Sequence, residues 1–402
     1  MGAHMKILER KSYLKRLLEL KDTNDIKIIT GIRRSGKSML LKSFIDILKS
    51  TNEKQNIIYI DLSLLKNEHL LDYKSLYNFV ISNHVAGLSN YLFVDEIQLC
   101  KGFEKAINSL HSENEFSIYL TGSNAFLLSS DLATFFTGRA IEISMFPFSF
   151  SEFCEYFNYT NTSSAFDEYV EKGGMPGSYQ YKNPTEQKKY LAGVYETILM
   201  RDLFERYNMQ NKLLLRRLGE FMLSNISNLS SLRNIANFLT THLQKVNHRT
   251  VGEYISYMVD AFLFYKTNRY DIQGKAYLAT IEKYYLVDHG FRTAVLGTKN
   301  MDYGRVYENI IAIELYRRGY EIYVGKLYQN EIDFVAIKES EKLYIQVSDD
   351  ISSRETLLRE ISPLLKIKDG YPKILLANTK HPKTLKEGIP IIDIGRWLLG
   401  KE

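Results

Sequence analysis

Short apolar runs recur along the first third of the chain: Ile26-Lys27-Ile28-Ile29-Thr30, Asn56-Ile57-Ile58-Tyr59-Ile60-Asp61-Leu62, Tyr91-Leu92-Phe93-Val94, Phe116-Ser117-Ile118-Tyr119-Leu120-Thr121-Gly122 and Ala140-Ile141-Glu142-Ile143. Runs this short and this nearly continuous in apolar character mark strands buried on both faces of a sheet. Helical periodicity fills intervals between them. Lys6 to Lys21 sets Leu14, Leu17 and Leu18 on one side, a second pattern runs from Lys37 to about Lys49, and a polar helical stretch leads to Asn90. The alternation predicts an α/β core with a parallel sheet.

Beyond Ser144 the pattern changes. Ser149 to Tyr156 carries aromatic residues at helical spacing, which reads as core rather than as a ligand site. Gly173-Gly174-Met175-Pro176 breaks the helices, and Thr185 to Tyr207 reads as one long helix. Ser231 to Leu239 and Val251 to Val259 are two short helices, the second opened by Asn247 and facing inward through Val251, Tyr254, Ile255 and Met258. Phe262 to Lys266 and Lys275 to Ala279 then suggest a hairpin. A helix from Tyr303 to Gly319 follows, with strands at 321–324, 331–337 and 343–348, a helix from Arg354 and a strand at 373–376. No fixed-period repeat or low-complexity tract is present.

Two stretches carry chemistry. The first apolar run leads into Gly31-Ile32-Arg33-Arg34-Ser35-Gly36-Lys37-Ser38, the G-x-x-x-x-G-K-S form of a phosphate-binding loop in its strand–loop–helix context. Glycines at 31 and 36 let backbone N–H groups converge on one point, and the following helix adds the positive end of its dipole. Gly31, Arg33, Arg34, Ser35, Gly36, Lys37, Ser38 and Met39 are the expected nucleotide-binding residues. Lys37 reaches the β- and γ-phosphates, and Ser38 ligates Mg²⁺. The second stretch is Tyr91 to Glu96, a buried run that delivers Asp95 and Glu96 to the carboxyl edge of the sheet. Asp95 is expected on Mg²⁺, directly or through water, and Glu96 as the base for the attacking water. Asn124, just after the next run, is a candidate sensor of the γ-phosphate, although an Asn there is also an ordinary turn residue.

Gly31-x-x-x-x-Gly-Lys37-Ser38, Asp95-Glu96-Ile97-Gln98, Thr121-Gly122-Ser123-Asn124-Ala125, Thr137-Gly138-Arg139, Phe146-Pro147-Phe148-Ser149-Phe150-Ser151-Glu152-Phe153 and Gly173-Gly174-Met175-Pro176 together resemble the prokaryotic AAA+ ATPases. More narrowly, the chain is similar to a bacterial and archaeal family of AAA-type P-loop ATPases with a C-terminal region of undefined role. The resemblance implies ATP as ligand, Mg²⁺ as cofactor and an AAA+ core over 6–146. A helical lid is expected over 147–207 and a winged-helix domain over 208–300. Arg139 and Arg201 are both candidate arginine fingers, acting from within the subunit or across to a neighbour in a homo-oligomer. Either could equally be a surface ion pair. His248, Arg249, Lys266, Arg269 and Lys275 are candidate DNA-phosphate contacts on the winged helix. Alternatively, that module packs only on the lid or meets a protein.

Residues 301–402 are similar to the restriction-endonuclease, or PD-(D/E)XK-like, α/β fold. Glu308 and Asp333 match its acids. Active members follow with Glu-x-Lys on the next strand, where this chain has Gln346-Val347-Ser348. A metal ligand and a cation are missing, so the expectation is a degenerate nuclease site at Glu308, Asp333 and Gln346. Function is accordingly expected as Mg²⁺-dependent ATP hydrolysis that acts on DNA. Competing readings are an ATP-gated nuclease and a nucleotide-controlled protein-interaction switch with no DNA role.

Composition changes this picture little. The 52 Lys and Arg against 47 Asp and Glu permit an anionic partner without requiring one. The 2 cysteines, Cys100 and Cys154, are too few for a disulfide framework or zinc cluster and suit a reducing cytoplasm. No apolar run is long enough for a bilayer and no signal peptide is evident, so membrane insertion is not expected. Residues 1–5 read as an expression scar, Met1-Gly2-Ala3-His4 ahead of Met5.

Overall fold

The computed structural model describes residues 6–51, 53–124, 136, 138–243, 245–299 and 301–401. The expected leader at 1–5, and Ala125 and Thr137 of the two motifs, lie outside the described residues. Two compact units divide the chain, one holding Ile7–Phe146 with Asp260–Phe262, the other Pro147–Val259 and Leu263–Glu402.

In the first unit, β1 (Ile26–Thr30), β2 (Gln55–Asp61), β3 (Ser89–Asp95), β4 (Phe116–Gly122) and β5 (Ala140–Ser144) pair in the order β2-β3-β4-β1-β5. Every neighbouring pair is parallel. Helices α1 (Lys11–Glu19), α2 (Lys37–Ser50), α3 (Tyr73–Ser82) and α4 (Phe103–Glu113) cover both faces. Strand alternation sends Ile28, Ile58, Ile60, Leu92, Val94 and Leu120 to one side, against Leu76 and Val80 of α3 and Ile107 and Leu110 of α4. On the other side Ile29, Tyr91, Phe93 and Tyr119 pack on Leu14 and Leu17 of α1 and Leu41 and Phe44 of α2. That double cover explains why the strands read as apolar runs. Helix α4, which buries Phe103, Ala106, Ile107 and Leu110, adds an element to those read from the sequence.

The second unit begins with helices. These are α5 (Phe150–Phe157), α6 (Thr162–Lys172), α7 (Pro184–Thr197), α8 (Lys212–Ser224), α9 (Leu232–His242) and α10 (His248–Asp260). The long helix expected to Tyr207 is present, but from Ile198 to Glu205 it is wound as a π-helix. The aromatic residues of α5 are core, as expected: Phe150 and Phe153 are buried and pack edge-on against Phe166 and Tyr169 of α6. Gly173-Gly174 sits where the backbone passes close to Asp288. The Gly174 N–H donates to Asp288 Oδ2 at 2.6 Å, and a Cβ on Gly174 would lie 2.4 Å from the Phe148 carbonyl oxygen.

The remaining strands are β6 (Phe264–Asp271), β7 (Ala276–Leu286), β8 (Glu321–Leu327), β9 (Asn330–Lys338), β10 (Glu341–Ser348), β11 (Lys373–Ala377), β12 (Thr384–Lys386) and β13 (Ile389–Asp393). They form one mixed sheet in the order β12-β13-β11-β10-β9-β8-β6-β7. Helices α12 (Tyr303–Arg317), α13 (Arg354–Leu365) and α14 (Ile394–Leu398) pack with it, whereas α11 (Gly290–Leu296) packs on α6, α7 and α8.

This topology corrects one expectation. The helix–helix–hairpin order of α9, α10, β6 and β7 is present, but the hairpin is no free wing. Arg269, Tyr270 and Asp271 of β6 pair in parallel with Val324, Gly325 and Lys326 of β8, so the hairpin is continuous with the C-terminal sheet. The boundary expected near 300 therefore runs through one sheet. Hydrophobic alternation specifies which face of a hairpin is buried but not which strand lies beside it.

Candidate nucleotide site

The carboxyl ends of β1, β4 and β3 are neighbours, which brings the loop after β1 beside the acids after β3. This is the edge at which parallel sheets place ligands. Within the loop, Gly31 has φ 140°, Arg34 φ 68° and Gly36 φ 105°, all in the left-handed region. Gly31 is fixed by space as well, since a Cβ there would lie 2.1 Å from the Met145 carbonyl oxygen. Lys37 is buried, and its Nζ donates to the carbonyls of Gly31 at 2.8 Å and Ile32 at 3.0 Å. Ser35 is fully buried, and its Oγ has no hydrogen-bond partner. Arg33, Ser38 and Met39 are half-buried and Arg34 is exposed.

The acids are held by a hydroxyl that sequence reasoning did not single out. Thr121, at the end of β4, is completely buried. Its Oγ1 donates to Asp95 Oδ1 and accepts the Glu96 N–H at 3.0 Å. One donor and one acceptor thus fix two consecutive acids. The Tyr59 hydroxyl donates to Asp95 Oδ2 at 3.3 Å, and burial with the Asp95 charge pushes that phenol's pKa well up. Glu96 has φ 57°, a conformation an L-residue adopts only under constraint, and this turns it out of the strand. Its Oε2 accepts from Gln98 Nε2 and from Ser123 Oγ, the latter at 3.3 Å. Asn124 is buried two residues beyond the end of β4. Thr121 had one signal in sequence: a hydroxyl ending an apolar strand, one position before a glycine.

Arg10 is a second residue missed. It is buried, and its guanidinium donates to the Ser35 carbonyl at 3.4 Å and the Phe146 carbonyl at 3.0 Å. It thereby ties the phosphate loop to the exit of β5.

Register corrects the expectation for Arg139. Ala140 pairs with Ile26, and the Arg139 carbonyl accepts the Ile26 N–H at 2.7 Å. Arg139 therefore sits at the amino end of β1, about 13 Å of strand from the loop. Its exposed side chain cannot span that distance, so a finger role from within the subunit is excluded. Arg201 is exposed on the π-helix of the other unit.

The candidate DNA contacts fare unequally. His248 and Arg249, at the start of α10, are exposed, as is Lys275. Lys266 is exposed but ion-paired with Glu282 at 3.0 Å. Arg269 is half-buried within β6, and its Nε has no hydrogen-bond partner.

Glu308, Asp333 and Gln346 are brought together by α12, β9 and β10. Asp333 N–H donates weakly to Gln346 Oε1 at 3.4 Å. Between the acids lies a residue absent from the sequence-based set, Lys283 of β7. Its Nζ is 2.9 Å from Glu308 Oε1, 2.6 Å from Glu331 Oε1 and 3.9 Å from Asp333 Oδ1. Burial raises the pKa of both Glu308 and Asp333, in the latter case helped by the Glu308 charge. Burial works to lower that of Lys283, but the three carboxylates outweigh it and raise it. Among the described residues, no group of three or more His, Cys, Asp or Glu side chains is arranged to hold a metal ion. Nor does any described helix have the length and apolarity to cross a membrane.

Residues 23–154 match the AAA domain family AAA_14, and residues 163–302 match a domain of unknown function, DUF8612. An uncharacterized protein of Haemophilus influenzae is 36% identical over 399 residues, covering 98% of this chain and 99% of that protein. An uncharacterized protein of Methanocaldococcus jannaschii is 28% identical over 430 residues, covering 98% of this chain and 93% of that protein. Among solved structures, the Aeropyrum pernix ORC1 protein in complex with DNA aligns at 13% identity and TM-score 0.31, covering 78% of this chain and 95% of that one. AMPPCP-bound DnaA from Aquifex aeolicus aligns at 15% identity and TM-score 0.31, covering 63% of this chain and 89% of that one. Structural likeness of that extent says nothing about ligands. Identity along the whole chain does place it: the chain belongs to the family that includes the Haemophilus protein, with an AAA domain at residues 23–154.

Proposed function

We propose that this protein binds ATP with Mg²⁺ and hydrolyses it at the carboxyl edge of the β1–β4–β3 strands. The observation that carries the reading is the double clamp of Thr121 on Asp95 and Glu96, beside a glycine-bounded loop that holds a lysine. The loop fits a polyphosphate. Its buried Ser35 hydroxyl lacks a partner, and its Gly31 backbone takes a course that a side chain would obstruct. Ser38 and Asp95 are the residues to hold Mg²⁺, which supplies positive charge to a phosphate oxygen and its leaving group. Lys37 neutralises the terminal phosphates, and Glu96, turned out of β3, orients the attacking water and takes its proton. Arg139 is left as a finger only toward a neighbouring copy, with Arg201 as the other candidate.

Two substitutions test this. Lys37→Ala should lose ATP binding in a fluorescent-nucleotide titration. Glu96→Gln should bind ATP as the wild type does yet turn over slower by roughly 10²–10⁴-fold, the contribution of a positioned base. Wild-type steady-state hydrolysis by Glu96→Gln would remove Glu96 as the base.

The finer part of the reading is DNA contact through the start of α10, supported by exposed His248 and Arg249. Binding should weaken as salt rises, and Arg249→Ala should lower the slope of log K against log salt by about 1. Absence of binding at low salt with nucleotide present would favour the protein-interaction switch.

A further inference from the structure

A nuclease-like domain with Glu308 on α12 and Asp333 on β9 would imply a divalent metal, and the residues present do not fit one. Glu308 Oε1 already accepts from Lys283 Nζ at 2.9 Å and from the Tyr285 hydroxyl at 2.7 Å. Asp333 Oδ2 accepts the Val347 N–H at 2.8 Å, which leaves Oδ1 toward the ammonium. Gln346 contributes an amide whose Nε2 donates to Glu360 Oε2 at 3.2 Å. Ser348, in the place where active members have a lysine, turns its hydroxyl to the Asp350 carbonyl at 3.0 Å. Among the described residues, the cation at these acids comes instead from a different element, β7, and Lys283 is 3% exposed. A metal would need the same oxygens at about 2.1 Å, within contact distance of a buried positive charge.

We propose that Lys283 is the built-in cation of this cluster, taking the carboxylates a metal would require and bolting β7 to α12 and β9. The site is then a metal-free ionic lock, not a dormant metal centre. It explains why the hairpin belongs to the C-terminal sheet, because its second strand supplies the charge that pairs buried Glu308 and the partly buried Asp333 and Glu331. It also accounts for the lost Glu-x-Lys: with the cation arriving from β7, neither a further acid nor a lysine on β10 has a role. The inference stands independently of nucleotide hydrolysis in the other unit.

Mn²⁺ binding to the full-length, nucleotide-free protein, followed by the electron paramagnetic resonance signal of free Mn²⁺, tests it. Wild type and Asp333→Asn should give the same isotherm. Lys283→Met should gain one Mn²⁺ per chain, lost again when Asp333→Asn is added, and millimolar Mn²⁺ should raise the melting temperature of Lys283→Met but not that of the Lys283→Met/Asp333→Asn double variant. Lys283→Arg should keep the wild-type isotherm and cooperative melting. A wild-type Mn²⁺ site that Asp333→Asn removes would overturn the proposal, as would a folded Lys283→Met that gains none. Should Lys283→Met fail to fold, the wild-type against Asp333→Asn comparison decides, and the loss of folding itself accords with a lock.

Discussion

Thr121 and Lys27 show how single side chains set the nucleotide unit. Thr121 is small, yet it fixes both Asp95 and Glu96. The bond to the Asp95 carboxylate contributes about 1.5–3 kcal/mol and the one from the Glu96 backbone N–H about 0.5–1.5 kcal/mol. Thr121→Val keeps the shape and removes both. Its turnover should fall by roughly 10- to 100-fold, while nucleotide affinity, measured separately, changes little. Lys27 is the second residue of β1, buried, with Nζ donating to the Thr23 carbonyl at 2.6 Å and to Ser117 Oγ at 3.3 Å. Burial lowers its pKa to about 8. An unfolded lysine titrates near 10.4. Above pH 8 the unfolded chain therefore holds a proton that the folded chain has released, so unfolding free energy rises with pH up to about 10.4. Denaturant titrations across that window should show the rise, and Lys27→Met should flatten it. The lysine was visible in the apolar run Ile26 to Thr30, but its neutral tendency follows from the helices that cover both faces of the sheet.

At the scale of elements, periodicity was a good guide wherever an element stands on its own apolar pattern. The strands at 116–122 and 373–376 and the helices from Lys37, Tyr303 and Arg354 are present close to the expected bounds. It failed where partnership decides. Residues 262–266 and 275–279 were legible as a hairpin, but only strand pairing makes them β6 and β7 of an eight-stranded sheet. Arg139 is the parallel case in the other unit. Its place next to Gly138 says nothing about which end of β1 it meets, and the parallel register sends it away from the loop. The π-helical turn of Ile198–Glu205 has no counterpart in a 3.6-residue pattern, since one extra residue per turn leaves apolar spacing ambiguous.

For the whole molecule, the consequence of the shared sheet is a claim about what folds. The expected boundary near 300 would make 208–300 an autonomous winged helix. The structure gives β6 its neighbour from β8, and Lys283 its counter-charges from α12 and β9. A chain ending at residue 300 should therefore keep the cooperative unfolding of the AAA unit and lose that of the region from 208 onward. Hydrogen exchange read along the truncated chain would show this, and slow exchange retained through Phe264–Leu286 would contradict it.

What the sequence by itself determined was local: a loop whose glycines and lysine are spaced for phosphate, acids at the end of a buried run, and the alternation that makes a parallel sheet. These follow from neighbours along the chain, through backbone geometry and periodic burial. Only the tertiary structure decided that Thr121 joins the two acids, that Arg10 braces the loop, that Arg139 faces the wrong edge and that Lys283 pairs with Glu308 and Glu331. Each of those depends on strand order and register, which bring together residues far apart in sequence, and nothing in the composition of either partner encodes the meeting.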